Sequence, residues 1–407
     1  MRIFQKIKNI GHFVVAVLAN IVFRFPSKEL QVIGVTGTDG KTTTSNLIFH
    51  ILKTNGKKVS IISTISAVIG ETESDTGFHV TTPSSFSVQK YIRQAVDYGS
   101  KYFVLETTSH ALDQYRVFGV RFDVSVITNI TQEHLHYHGT YEHYVSSKSK
   151  LIHWSNKTFV NKDDQSYSYI LKHIGNKKIE TYGFNNDADN IIDISKKINI
   201  PLAKFNQYNY LAAFLICREL GIAEEDIYPS MKTYKLPPGR LEIVYRGDFI
   251  VIVDFAHTPH AVQEALSSIR DEHVTNGRLI HVFGAAAFRD DSKRTPMGRE
   301  SATYADMVIL TEEDYRTEDP YDITSQIAEG LEEHGFKKVD IDTFGSGTNE
   351  YTVIIDRQEA IMKACSIARL GDVIVLTGKG HEMSLNRDGK EYHWNDKEEV
   401  LKILKDA

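Results

Sequence analysis

The chain has 407 residues, 41% of them hydrophobic, and a net charge of −6 at neutral pH. It is long enough for about two or three domains with sizeable cores, and its mild acidity gives no case for a nucleic-acid partner. The two cysteines, Cys217 and Cys365, lie in apolar helical contexts, so no disulfide framework is expected and a reducing, cytoplasmic compartment is predicted.

Residues 1–30 open with Arg2, Lys6 and Lys8, run through an apolar stretch from Ile10 to Phe23 broken by Gly11, His12 and Asn20, and close with Arg24 and Lys28. The stretch falls short of the roughly 20 apolar residues that a spanning helix needs. No small-residue cleavage site follows it, which speaks against a signal peptide. The expectation is an interfacial helix on the inner leaflet, with its basic flanks near anionic lipid. A helix packed on the protein itself and a true span are the alternatives.

Next come a β-type run, Leu30–Val35, and a helical pattern, Thr43–Asn55, with Leu47, Ile48, Ile51 and Leu52 on one face. Between them stands Gly37-Thr-Asp-Gly-Lys-Thr42. Gly37 and Gly40 let the backbone turn its N–H groups inward on oxyanions. Lys41 adds a cation and Thr42 a hydroxyl suited to Mg2+, while the following helix aims its positive end at the same place. The match to a P-loop is imperfect, since Val35 takes the first glycine's slot. A nucleoside triphosphate is the predicted ligand.

Beyond the loop, β-type and helical runs alternate. Lys58–Ile62, Tyr102–Leu105 and Val124–Thr128 read as strands, and Ser87–Tyr98 and Gln207–Leu220 as helices. Leu236-Pro-Pro-Gly239 reads as a domain joint. After it the alternation restarts with strands at Phe249–Val253, Leu279–Phe283, Met307–Leu310 and Val373–Leu376, and helices at Pro259–Ile269 and Asp356–Ala368. The predicted fold class is α/β. It comprises a central P-loop ATPase domain with a parallel sheet at 31–238 and a smaller Rossmann-like C-terminal domain at 239–407, preceded by the apolar helix at 1–30. The segment Glu133-His-Leu-His-Tyr-His138, with His143, invites a zinc reading if alternate imidazoles share one strand face, although no cysteine lies near.

Seven segments occur in the order seen in Mur ligases: Gly37–Thr42, Glu106-Thr-Thr-Ser-His-Ala-Leu112, Thr128-Asn-Ile-Thr-Gln-Glu-His134, Phe205-Asn-Gln-Tyr-Asn209, Pro238-Gly-Arg-Leu-Glu242, Asp254-Phe-Ala-His-Thr-Pro259 and Gly378-Lys-Gly-His-Glu382. The chain resembles these ATP-dependent, amide-forming enzymes of peptidoglycan synthesis from about residue 31 to 400, and most of all the branch that adds the third amino acid to a muramoyl-dipeptide. That branch usually carries an N-terminal domain for uridine diphosphate, and the roughly 30 residues before the phosphate loop are expected to be too few for one.

The resemblance implies the following roles. ATP is held by Gly37, Thr38, Asp39, Gly40, Lys41, Thr42 and Thr43, by Asn206 and Asn209, and by Arg240, Asp254 and His257. Two Mg2+ sites draw on Thr42, Glu106 and His134, together with Lys148, which takes up CO2 as a carbamate; Lys150 is the nearby competitor. The catalytic set is Lys41, Glu106, His134 and Lys148. Glu133 stands where the family usually has Asp. A muramoyl-peptide acceptor is gripped by Thr81, Thr82, Thr108, Gln114 and Arg116; capping of the helix Ser87–Tyr98 is a second role open to Thr81 and Thr82. The incoming amino acid, a diamino acid, meets Asp314, Arg316, Gly378 and Glu382, although Glu313-Asp-Tyr-Arg316 lacks the family's Asn-Pro pair. Gly284-Ala-Ala-Ala-Phe-Arg-Asp290 is also poorer in glycine than the family's loop. Diaminopimelate is favoured over lysine. Other readings keep the ligation but change the acceptor, to a lipid-linked or other poly-amino-acid chain. A non-enzymatic ATP-binding regulator is disfavoured by Lys41, Glu106, His134 and Lys148. The sequence leaves the oligomeric state open.

Overall fold

The computed structural model describes residues 2–74, 81–185 and 187–406, with side chains from Lys8 to Lys405. The chain forms two compact units, Met1–Lys235 and Leu236–Ala407. The N-terminal helix, Arg2–Val22, belongs to the first unit.

The first unit is built on an eight-stranded sheet. Its order is Thr72–Ser74, Ala67–Ile69, Val59–Ile62, Tyr102–Glu106, Gln31–Thr36, Phe122–Ile127, Ser155–Asn161 and Glu180–Tyr182. The six strands from Val59–Ile62 onward are parallel, and the two short edge strands are antiparallel. Helices cover both faces, which is why the central strands are apolar at nearly every position. Ile33, Val35, Val104, Val124 and Val126 point into a core with the helices Lys41–Thr54 and Lys204–Glu219. Val32, Phe103, Leu105 and Phe122 point the other way, onto Val88 and Ile92 of the helix Ser85–Tyr98. Leu47, Ile48, Ile51 and Leu52 are fully buried, each contributing about 1.5–3 kcal/mol relative to exposure. Their burial fixes the helix that follows the phosphate loop. Ser84 caps the helix Ser85–Tyr98 by accepting from the Ser87 amide at 3.3 Å, so the cap is not Thr81 or Thr82.

The second unit carries a seven-stranded sheet ordered Lys337–Lys338, Glu350–Val353, Met307–Leu310, Leu279–Phe283, Val373–Leu376, Ile250–Val253 and Glu242–Arg246. All pairs are parallel except the last. A separate hairpin, Ser384–Arg387 with Lys390–His393, turns on Asp388 and Gly389. Both turn residues have positive φ, 50° and 76°, as a two-residue turn matched to the strand twist requires.

A fully buried ion pair braces this unit. Arg357 and Asp396 are both fully buried, and the guanidinium donates to Asp396 at 2.8 and 2.7 Å and to the Thr377 carbonyl at 2.9 Å. Removing one partner strands the other charge away from water. Arg357→Met is therefore expected to destabilise the unit by about 3–5 kcal/mol, read as a lowered midpoint in urea unfolding.

Candidate functional site

The site of the first unit lies at the C-terminal ends of its central parallel strands, the usual ligand edge of an open α/β sheet. Gln31–Thr36 runs out into Gly37–Gly40, and the helix Lys41–Thr54 begins at once. The Thr38 amide donates to the Asn129 carbonyl and the Asp39 amide to Asn129 Oδ1, both at 2.8 Å. Thr128 Oγ1 donates to the Asp39 carbonyl at 2.7 Å. These bonds clamp the loop onto the neighbouring strand's exit. A Cβ at Gly37 would stand 1.8 Å from Thr128 Oγ1, and one at Gly40, where φ is 79°, would stand 2.1 Å from Asn209 Oδ1. Both positions therefore demand glycine. Asn209 donates to Asn206 Oδ1 at 3.2 Å, so both asparagines lie behind the loop.

Glu106 ends the adjacent strand, fully buried. One of its oxygens accepts the Thr42 hydroxyl at 3.0 Å and the Thr64 hydroxyl at 2.8 Å, and the other accepts the Thr64 amide at 2.9 Å. Thr42 and Glu106 thus form a pair of hard oxygen donors at the start of a helix, which is the chemistry Mg2+ favours. Thr64 was not among the residues expected from sequence. It reaches Glu106 because Val59–Ile62 pairs in parallel with Tyr102–Glu106, Ile62 opposite Leu105.

Lys148 is buried in the helix Tyr141–Trp154, and its Nζ donates to the Gly37 carbonyl at 2.5 Å. Burial first, and then the nearby Lys41 ammonium, hold its pKa well below the usual lysine value. The amine that faces the phosphate loop therefore gives up its proton more readily than an ordinary lysine. Lys150 instead pairs with Asp113 at 3.1 Å and lies over the Tyr115 ring, so it is Lys148 that reaches the loop. A small pocket here is walled by Gly37, Lys41, Thr108, Ser109, Glu133, His134, Tyr144 and Lys148.

The histidine-rich segment folds as a short helix, Leu135–His138, rather than a strand, so its alternation does not line one strand face. Among the described residues, no group of three or more His, Cys, Asp and Glu is arranged to hold a metal by itself. His134 lies 3.5 Å from Glu133 and edge-on to His110. Burial, followed by His134, pushes His110 down to about 3, and burial pushes His138 down to about 2, so both are neutral donors and acceptors. His138 bridges Ser109 and Ser147 at 3.1 and 3.4 Å.

The five residues expected to grip an acceptor adjoin this site. The Thr81 and Thr64 hydroxyl oxygens lie 3.0 Å apart, within hydrogen-bond reach. Thr82 Oγ1 donates to the Glu106 carbonyl and accepts the Thr108 amide, both at 3.0 Å. Arg116 donates to the Thr82 carbonyl at 2.9 Å and forks onto Gln114 Oε1 at 2.9 and 2.7 Å. Thr108 also caps the helix Ser109–Asp113. Glu106 is the hinge of the arrangement, with its carboxylate on the phosphate loop and its carbonyl on the Thr82–Arg116 cluster.

In the second unit, Arg240, Asp254 and His257 converge beyond the strand Ile250–Val253. Asp254 is buried and accepts the Leu241 and Ala256 amides at 2.7 Å each; burial raises its pKa. Arg240 stacks on Phe255 at 4.5 Å, and His257 Nδ1 bonds the Phe255 carbonyl at 2.8 Å. Asp314, Gly378 and Glu382 gather around a residue that the sequence did not single out. Lys379 is buried and pairs with Asp314 at 2.8 Å and Glu382 at 2.6 Å. Asp314 also accepts the Asn386 amide at 3.0 Å, and Arg316, at φ 52°, reaches the Ala287 carbonyl. Lys379 stands inside the Gly378–Glu382 motif, but Asp314 lies 65 residues away in the chain, so local sequence carried no signal for the pairing.

Residues 35–217 match the Mur ligase middle domain, and residues 239–380 match the Mur ligase, glutamate ligase domain. The UDP-N-acetylmuramoyl-L-alanyl-D-glutamate–2,6-diaminopimelate ligase 1 of Clostridium acetobutylicum is 35% identical over 97% of this chain and 82% of its own. The ligase of the same name from Aquifex aeolicus is 36% identical over 95% of this chain and 80% of its own. A solved structure of such a ligase superposes with a TM-score of 0.60 at 29% identity, covering 93% of this chain and 78% of its own. A glycine-demanding phosphate loop and its buried carboxylate, set within two domains that match over most of the sequence, make this chain a member of the Mur ligase family of ATP-dependent, amide-forming enzymes.

Proposed function

We propose that this protein joins a diamino acid, diaminopimelate in preference to lysine, to the free carboxylate of a muramoyl-dipeptide during peptidoglycan precursor synthesis. The observation that carries this reading is the double role of Glu106, which ties the phosphate loop and the Thr82–Arg116 cluster into one hydrogen-bonded seam. Arg116 and the threonines hold the acceptor so that its carboxylate meets the γ-phosphate cradled by Gly37–Thr43, beside Asn206 and Asn209. Carboxylate oxygen attacks phosphorus and ADP leaves, giving an acyl phosphate. The amine then attacks the acyl carbon, its surplus proton is lost, and inorganic phosphate departs. Two anions must meet in the first step, so positioning and charge neutralisation are what the residues supply.

Thr42 and Glu106 are the donors for one Mg2+, and His134 with Lys148 belong to a second. Bound there, the ions would neutralise phosphate charge. The lowered pKa of Lys148 suits its uptake of CO2, because only a neutral amine can form the carbamate anion. Arg240, Asp254 and His257 belong to the nucleotide, and Asp314, Arg316, Gly378 and Glu382 to the amino acid, with Lys379 orienting the two acids. Residues 1–28 add a peripheral contact with the inner face of the membrane.

The test is ADP release with muramoyl-dipeptide and each amino acid in turn. Release that requires both is expected; release with non-muramoyl acceptors alone sinks the assignment. Arg316→Ala should raise the KM for diaminopimelate by about 10–100-fold, through loss of a charge-assisted contact to its distal carboxylate, and leave the KM for lysine nearly unchanged. Equal effects on both amino acids would remove Arg316 from the specificity account.

A further inference from the structure

The N-terminal helix, Arg2–Val22, is apolar on two opposite faces, and only one of them is covered by the first unit. On the covered side Ala16, Ala19 and Asn20 are buried. Asn20 donates to the Phe118 carbonyl at 2.8 Å, and a Cβ at Gly119 would strike Asn20. Phe13 packs on Tyr115 and Phe118. Asn9 donates to Asp113 twice, at 3.2 and 3.0 Å.

On the other side Ile10, Val14, Leu18 and Ile21 form one stripe at helical spacing, exposed by 65, 51, 49 and 56%. Val22, Phe25 and Phe86 are exposed as well, the last with its ring against Phe23. Scattered exposed apolar residues need no explanation, but a continuous stripe does. Among the described residues no helix is long and apolar enough to cross a membrane. Charge identifies the occupant of the stripe. Residues 1–28 hold five cations and no acid in a chain of net charge −6. Of these cations Lys8, Arg24 and Lys28 are exposed at the two ends of the stripe; the side chains of Arg2 and Lys6 lie outside the described residues. An apolar stripe bracketed by cations fits an anionic bilayer surface.

We infer that this stripe docks the enzyme on an anionic membrane, and that the acceptor it serves is a muramoyl-peptide carried on a lipid. The inference rests on the proposed ligase reading. The link between the two halves is covalent and hydrogen-bonded. Asp113, held by Asn9, Lys150 and Tyr137, is followed directly by Gln114, whose Nε2 donates to the Tyr137 hydroxyl and whose Oε1 receives Arg116. The helix that lies on the membrane and the residues that grip the acceptor are therefore one rigid piece. An acceptor anchored in the same membrane enters beside its own anchor.

The test uses the full chain and the triple variant Val14→Glu, Leu18→Glu, Ile21→Glu, which alters only exposed positions outside the acceptor, nucleotide and amino-acid residues. Wild type should sediment with phosphatidylcholine/phosphatidylglycerol vesicles, less so at high salt and hardly at all with phosphatidylcholine alone. The variant should keep the same thermal midpoint and lose about tenfold or more of this binding. Its ADP release should fall about tenfold with lipid-linked muramoyl-dipeptide in vesicles and stay unchanged with the water-soluble dipeptide. Wild type remaining in the supernatant, equal binding by the variant, or a solution dimer that the variant dissolves would each overturn the proposal. Turnover confined to the soluble acceptor would overturn its substrate half. Vesicle binding without ADP release from either acceptor would instead overturn the ligase reading, and the acceptor assignment with it, while docking stands on the sedimentation.

Discussion

Replacing Lys148 with alanine is expected to lower acceptor-dependent ADP release by about 10^3-fold or more, with a much smaller change in nucleotide affinity. The side chain is buried against the Gly37 carbonyl, beside Lys41 and in the pocket with His134. An ordinary ammonium there would face a second cation. The proposed carbamate would instead put an anion in that corner, so the effect should be on turnover. If the carbamate reading is right, a short carboxylic acid should restore part of the activity to Lys148→Ala. Turnover at the wild-type level in that variant would remove the residue from the chemistry.

The same burial has a consequence for stability. A lysine whose folded pKa lies below its unfolded value binds fewer protons when folded. Stability therefore rises with pH between the folded and unfolded values, is fully present above the unfolded one, and is lost as pH falls. Lys148→Met should abolish that rise and, in the absence of CO2, be more stable than wild type at neutral pH. Urea unfolding from neutral pH through the alkaline range reads both effects.

Glu106→Gln is expected to cost about 10^2–10^3-fold in turnover and to raise the Mg2+ concentration needed for half-maximal rate. The carboxylate sits on the Thr42 and Thr64 hydroxyls and the Thr64 amide, and the Glu106 carbonyl holds Thr82. The amide keeps the shape and the backbone link but loses the negative charge on which the proposed cation site depends. Thr64→Val removes one hydroxyl and leaves the charge, so it should cost only about tenfold, consistent with the loss of a hydrogen bond to a charged group. Should Glu106→Gln keep more than half the wild-type rate with an unchanged Mg2+ requirement, the site would have been misread. Equal losses in the two variants would mean that packing, and not charge, is what Glu106 supplies.

The strands that place the site were legible because helices bury both their faces, leaving short apolar runs such as Met307–Leu310 and Val373–Leu376 whose ends coincide with the observed ones. Ser155–Asn161 and Glu180–Tyr182 escaped because they lie toward the edge of the sheet and are largely polar. The hairpin after Ser384 escaped for another reason: its Asp388-Gly389 turn signal was present but sat between strands with little apolar alternation. In the site, the phosphate loop was legible from its glycines, since local geometry alone demands them. Thr64 and Lys379 were not, because their roles come from strand register and from a buried pairing between distant segments. Which of Lys148 and Lys150 reaches Gly37 likewise depends on the face that their helix turns to the loop.

The most direct test of the central claim, that the first unit passes the γ-phosphate of ATP to a carboxylate, is oxygen transfer. A muramoyl-dipeptide labelled with 18O in its free carboxylate should deliver one labelled oxygen to inorganic phosphate for each amide formed, with ADP as the other product. Phosphate free of label, or AMP in place of ADP, would contradict the account.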